Sequence, residues 1–204
     1  QRKRAREARE DTAFADDNLK LYNQIRDEVE NIEFTGYRNL NNSTKIIALL
    51  KDGKRVEELK EGEEGEIILA RTPFYTESGG QIGDNGIISI ENNKANVRDA
   101  QEKAEVMTHY VKIESGSFKE GQKVNAEVYS ERRKATARNH SATHILHKAL
   151  KEVLGEHVNQ SGSLVTPERL RFDFNHFSSL SDEEIKKIEK RVNKKIMQNL
   201  TVKT

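Results

Sequence analysis

Cysteine is absent from the 204 residues. Disulfides, thiolate metal ligands and cysteine nucleophiles are therefore excluded within the chain. Long hydrophobic runs are missing too. No stretch approaches the roughly 20 apolar residues of a membrane span, and no charged start followed by an apolar segment marks a secretory signal. A cytoplasmic protein with no membrane partner is the default expectation. An excess of one charge is also lacking: 35 Lys and Arg face 34 Asp and Glu. Bulk attraction to nucleic acid is thus excluded, and any such contact has to come from a local patch. Only two prolines occur, Pro73 and Pro167. The first opens a loop, TPFYTESGGQIGDNG, too rich in glycine for a regular strand. The chain opens on Gln1 rather than Met, and we read it as an excised piece of something longer.

What is present points to an α+β chain with small cores. Apolar and charged residues each make up 34%, which suits two modest cores better than one large one. Residues 1–32 read as a linker helix: a charged stretch of good helix formers, then Leu21, Ile25, Val29 and Ile32 at helical spacing. The basic run Arg2 to Arg9 reads as a solvated helix leading in from an upstream domain, with RNA contact or a nuclear address as the other readings. Residues 33–131 carry short β-prone runs (TKIIALL, GEIILA, GIISI, VMTHYVKI, QKVNAEVYS) separated by turn signals such as Asp52-Gly53 and GDNG at 83–86. That pattern predicts a small β-barrel. Residues 132–204 read as a mixed α/β unit. A helix is predicted over about 137–154, then a hairpin turning at Thr166 to Arg169. In its second arm Leu170, Phe172 and Phe174 alternate with Arg171 and Asp173. Ser181 and Glu184 form a capping-box pattern. They open a final helix with Ile185, Ile188, Val192 and Ile196 on one stripe. We expect this last unit to be incomplete at its C-terminus.

Three of the six histidines fall within RNHSATHILH, residues 138–147. On a wheel at about 100° per residue, Ala142, Ile145, Leu146, Ala149, Leu150, Val153 and Leu154 gather on one side. His140, His144 and His147 gather on another, off the stripe that packs the core. Two readings follow from the residues alone: ordinary surface histidines, or metal ligands. His140 and His144, at i and i+4, are neighbours on a helix face and can offer two imidazoles to one zinc ion. His147 would only flank such a site. A structural zinc site needs four ligands and a catalytic one three plus water. His109, His157 and His176 show no ligand-like spacing to one another, so the site reads as half built.

The stretch RNHSATHILHKALKEVLGEHVNQSGSLVTPERLRFDFNHF resembles the editing domain of alanyl-tRNA synthetases, and FYTESGGQIGDNG resembles that family's glycine-rich barrel loop. Threonyl-tRNA synthetase editing domains share the HxxxH helix but lack the SGGQ-bearing barrel. The resemblance implies hydrolysis of the ester in seryl- or glycyl-tRNA(Ala), with the acceptor end of tRNA(Ala) as partner. It also implies an upstream, ATP-using aminoacylation domain on the same polypeptide. It assigns His140 and His144 to a zinc site completed by a later CxxxH pair, which we expect beyond Thr204. The isolated chain should therefore bind zinc weakly and lack activity. The resemblance further places Thr143 and Gln160 at the editing pocket, and Gly79, Gly80 and Gln81 near the tRNA acceptor end. Arg132, Arg133, Lys134 and Arg138 form a basic strip that leads into the histidine helix. It suits RNA phosphates, or equally a solvated domain junction. No Ser-His-Asp or Cys-His arrangement indicates a covalent intermediate. A free-standing editing relative and a non-catalytic tRNA-binding module are the alternative functions.

Overall fold

The computed structural model describes residues 19–29 and 32–200. The basic run Arg2 to Arg9 lies outside the described residues, as does most of the expected charged helix. The described chain forms two compact units. The first runs to Glu77 and resumes over Gly83–Ser130; the second comprises Ser78–Ile82 and the chain from Glu131.

The first unit begins with helix α1 (19–28). Eleven strands follow: β1 (Glu33–Phe34), β2 (Asn41–Lys51), β3 (Lys54–Val56), β4 (Glu58–Lys60), β5 (Glu64–Leu69), β6 (Arg71–Thr72), β7 (Gly86–Ile90), β8 (Asn93–Lys103), β9 (Val106–Ser115), β10 (Ser117–Lys119) and β11 (Lys123–Val128). The order β11-β7-β8-β9-β5-β2 closes on itself through an antiparallel pairing of β11 with β2. Six strands thus make the expected barrel, and closure leaves no open edge among them. In β11 the alternation is strict: Val124, Ala126 and Val128 are buried while Lys123, Asn125 and Glu127 face solvent.

β2 and β5 do not alternate, and the structure explains why. Ile46, Leu49, Ile67 and Leu69 fill the barrel with Phe74 and Phe118. Ala48, Leu50 and Ile68 point outward but are covered by Tyr22 and Ile25 of α1 and by Ile32. Strands buried on both faces read as continuous apolar runs, hence TKIIALL and GEIILA. The helix ends by residue 28, so Ile32 reaches this second core from irregular chain rather than from a helix turn.

Two features of this unit were not expected from the sequence. β8 (NKANVRDAQEK) is eleven residues long but buries only Ala95, Val97 and Ala100. Its other side chains are polar, and two register shifts against β9 break its periodicity. His109 is wholly buried. Its Nδ1–H donates to the Ile67 carbonyl at 2.7 Å, and its Nε2 accepts from the Thr72 hydroxyl at 2.7 Å. Desolvation pushes its pKa down to about 4, so it is a neutral, fully satisfied core residue.

The second unit holds helix α2 (Ser130–Leu154), strands β12 (Gln160–Val165) and β13 (Leu170–Phe174), and helix α3 (Asp182–Met197). α2 starts several residues before the expected 137. SERRKATA has helix-forming residues but no apolar stripe, so periodicity could not place the start. The basic residues 132, 133, 134 and 138 therefore lie on α2 itself. β12 and β13 form the expected hairpin, with Thr166 N–H bonded to Arg169 O at 2.9 Å. The capping box is present: Ser181 Oγ accepts from Glu184 N–H, and Glu184 reaches back to Ser181 N–H at 2.9 Å. Ala149, Leu150, Val158 and Ile188 form the core, with Leu146, Phe172, Phe174 and Val192 packed against them. Only the middle of the α3 stripe is covered, since Ile185 and Ile196 are 40% and 50% exposed. Among the described residues, no helix is long and apolar enough to cross a membrane.

Candidate functional site

The site lies within the second unit and is built on α2, the turn Ser78–Gln81 and the β12–β13 hairpin. Burying a Leu side chain contributes about 1.5–3 kcal/mol. Leu146 and Leu150 therefore set the roll of α2, and the histidines follow on its flank. Asn139 fixes the helix lengthwise by donating to the Thr166 and Pro167 carbonyls at 2.7 and 3.2 Å.

The turn depends on its glycines. Ser78 and Gln81 exchange both backbone hydrogen bonds, at 3.1 and 2.9 Å. Gly79 and Gly80 stand between them at φ +60° and +83°, the positive-φ pair that a two-residue hairpin loop requires. Val165 N–H binds Gly80 O at 2.7 Å, and Ile82 N–H binds Val165 O at 3.2 Å, which seats the turn along β12. A Cβ on Gly80 would collide with Ser163 Oγ and stand 2.6 Å from the Ser163 carbonyl oxygen. Close approach of backbone to β12 thus needs glycine at this position. Gln81, which closes the turn, is only 7% exposed. Its Oε1 meets His140 Nδ1 at 2.6 Å.

An amide oxygen can only accept, so this bond puts the His140 proton on Nδ1 and leaves a lone pair on Nε2. That Nε2 lies 3.1 Å from His144 Nε2. Burial, and then the neighbouring His144, hold the His140 imidazole below its ordinary pKa, which favours the neutral, metal-ready form. The donor pair fits zinc. With Zn–N of about 2.0–2.1 Å, a tetrahedral ion separates two ligand nitrogens by about 3.3–3.4 Å, close to what the pair already shows. Among the described residues, no group of three or more His, Asp or Glu is placed to hold a metal.

The two imidazoles open on a small cleft lined also by Gly79, Thr143, His147, Gln160, Ser163, Val165 and Phe172. Of the seven residues assigned to metal or substrate from the sequence, five line the cleft: Gly79, His140, Thr143, His144 and Gln160. Gly80 and Gln81 do not line it, and Gln81 joins the site through its bond to His140. Thr143 spends its hydroxyl proton on Asn139 O at 2.8 Å, and Gln160 Nε2 reaches Ser163 Oγ at 3.3 Å. His147 lines the cleft as well, its ring 5.0 Å from that of Phe172. Ser163, Val165 and Phe172 were legible in the sequence only as strand residues of the hairpin.

The basic strip divides. Arg132 is paired with Glu168 at 3.1 Å, and Lys134 with Glu131 at 2.9 Å. By helix geometry Arg133 shares the sector of His140 and His144, Arg132 and Lys134 flank it, and Arg138 falls on the far side. His157 and His176, without ligand-like spacing in the sequence, meet in the fold: His157 Nε2 lies 2.9 Å from His176 Nδ1. The Asn175 N–H to Asn159 O bond of 3.1 Å brings the two segments side by side.

Residues 1–132 match the family model of class II (A) tRNA synthetases. The alanine–tRNA ligase of Carboxydothermus hydrogenoformans is 52% identical over 203 residues, covering 99% of this chain and 23% of the relative. That of Desulforamulus reducens is 46% identical with the same coverage. That of Methylococcus capsulatus is 50% identical over 171 residues, 83% of this chain and 20% of the relative. The chain thus spans roughly a quarter or less of the curated relatives it matches.

Proposed function

The chain belongs to the alanyl-tRNA synthetase family, and on that premise we propose that its second unit holds an editing centre, which hydrolyses the ester of seryl- or glycyl-tRNA(Ala). The observation that carries this reading is the imidazole pair, Nε2 to Nε2 3.1 Å, opening on a cleft shared with Gly79, Thr143 and Gln160.

The need for a second site is energetic. A pocket shaped for alanine rejects glycine by no more than about 1–3 kcal/mol, the worth of one methyl group, and an apolar pocket rejects an added hydroxyl by only about 10²-fold. A hydrolytic site with polar walls reverses that preference. Here the polar groups are the side chains of Thr143, Gln160 and Ser163, which suit a seryl hydroxyl or an α-amino group. Arg133 on the same helix sector suits an acceptor-end phosphate. His140 and His144 would hold zinc together with ligands from outside these 204 residues. When bound, zinc supplies a positive centre that polarises an ester carbonyl or lowers the pKa of water towards about 7. Aminoacylation, ATP and the remaining partners belong, on this reading, to the parts of the relatives this chain does not span. Similarity to alanine–tRNA ligases over 99% of the chain favours a piece of a synthetase over a free-standing editing relative.

A second reading applies to the 204 residues by themselves. Two ligands and no cysteine favour a module that binds the acceptor end without cleaving it. One assay separates the two. Serine-, glycine- and alanine-charged tRNA(Ala) are incubated with the chain and with a version extended past Thr204, with and without Zn²⁺. The extended protein with zinc should release serine and glycine and spare alanine. If it leaves every ester intact, the editing proposal is wrong.

A further inference from the structure

We propose that Gln81 is the positioning residue of the imidazole pair, holding His140 as the Nδ1–H tautomer so that its Nε2 lone pair faces the cleft. The inference rests on the metal-site reading of His140 and His144 and adds a role for the SGGQ turn that neither histidine supplies. Free imidazole favours the proton on Nε2. In that tautomer His140 would direct an N–H at His144 Nε2, and the donor pair would have no lone pair on this side to offer. The Gln81 oxygen, 2.6 Å from Nδ1, reverses the preference.

The turn leaves Gln81 little freedom to do anything else. Its backbone N–H and carbonyl are both bonded to Ser78, and its neighbours on either side are bonded to Val165. Gly80 is pressed on Ser163, whose hydroxyl in turn donates to Gly79 O at 3.2 Å. Four residues of turn thus deliver one buried acceptor to one ring nitrogen. The amide nitrogen of Gln81 is not stranded by this orientation, since Asn42 Oδ1 is the only buried side-chain polar atom without a partner among the described residues. His144 is exposed and can supply the proton in the metal-free contact with His140.

Groups that orient a metal-binding histidine through its other nitrogen typically govern metal affinity by 10–100-fold. The test uses Gln81→Leu, which removes the acceptor, and Gln81→Glu, which keeps it. Long-range ¹H–¹⁵N NMR of the metal-free chain above the imidazole titration reads the tautomer directly. His140 should be Nδ1–H in the natural chain and in Gln81→Glu, and revert mainly to Nε2–H in Gln81→Leu. Titration with Co²⁺, followed by its visible absorption, should show affinity about 10–100-fold weaker in Gln81→Leu and retained in Gln81→Glu. A His140 that is Nε2–H in the natural chain overturns the inference, as does a Gln81→Leu protein with unchanged tautomer. The tautomer is read without metal and without tRNA. Failed ester hydrolysis with His140 still Nδ1–H therefore defeats the editing proposal alone; an Nε2–H His140 with hydrolysis intact defeats this one alone.

Discussion

His140 and His144 hold their Nε2 atoms 3.1 Å apart across one turn of α2. The relationship follows from the i, i+4 neighbourhood on a helix and from the apolar stripe that decides which way α2 rolls. The His144 ring is exposed, and that separates what its loss should do to stability from what it should do to chemistry.

His144→Ala removes an exposed ring with no partner in the core. Unfolding by urea should give a stability within about 0.5 kcal/mol of the natural chain. In a zinc-loaded protein extended past Thr204, hydrolysis of seryl-tRNA(Ala) should fall by at least about 10²-fold, because half of the imidazole pair is gone. A variant that unfolds readily would show that the ring serves structure rather than chemistry.

The two glycines of the turn should respond unequally to alanine. Gly79→Ala adds a Cβ that meets nothing within 4 Å, so only the left-handed backbone is penalised, by about 1–2 kcal/mol. Gly80→Ala has the same backbone cost plus a collision with Ser163, and should lose clearly more. Thermal unfolding of both variants checks the order; equal losses would mean that the approach to Ser163 does not constrain position 80.

His109 gives a pH dependence with a definite sign. Its folded pKa, about 4, lies below the ordinary 6.5 of an unfolded imidazole. The unfolded chain therefore binds a proton first as pH falls. The stability this neutral residue contributes is complete above about 6.5 and drains away as pH drops towards 4, by up to about 3 kcal/mol. His109→Leu should be less stable at pH 7, since the Ile67 carbonyl and Thr72 hydroxyl lose a partner. It should also lose much of the slope between pH 6.5 and 4. Urea unfolding across that range decides; a slope unchanged in the variant would assign the effect elsewhere.

For RNA contact, Arg133 and Arg138 are a matched pair of probes. Arg133→Ala should weaken binding of tRNA(Ala) and reduce the salt dependence of binding by about one phosphate contact. Arg138→Ala, on the opposite side of α2, should leave both unchanged. Filter binding at several salt concentrations reads both quantities, and equal effects from the two variants would remove the orientation proposed for the acceptor end.

What the sequence determined alone was whatever is written in local pattern. Alternation marked β13, the capping box marked the start of α3, and the apolar stripe of α2 put His140 and His144 on a separate flank. β8 escaped because a barrel strand needs only Ala95, Val97 and Ala100 inside, and two register shifts erase even that short period. The start of α2 escaped because charged helix formers carry no stripe. Tertiary structure alone decided that Gln81, 59 residues before His140 in the chain, would reach its Nδ1, that Ser163 would share the cleft, and that His157 would meet His176. Such contacts depend on which surfaces pack and on a turn tight enough to need two glycines. Distances along a chain do not encode that, because one packed core joins residues whose separation in sequence is arbitrary.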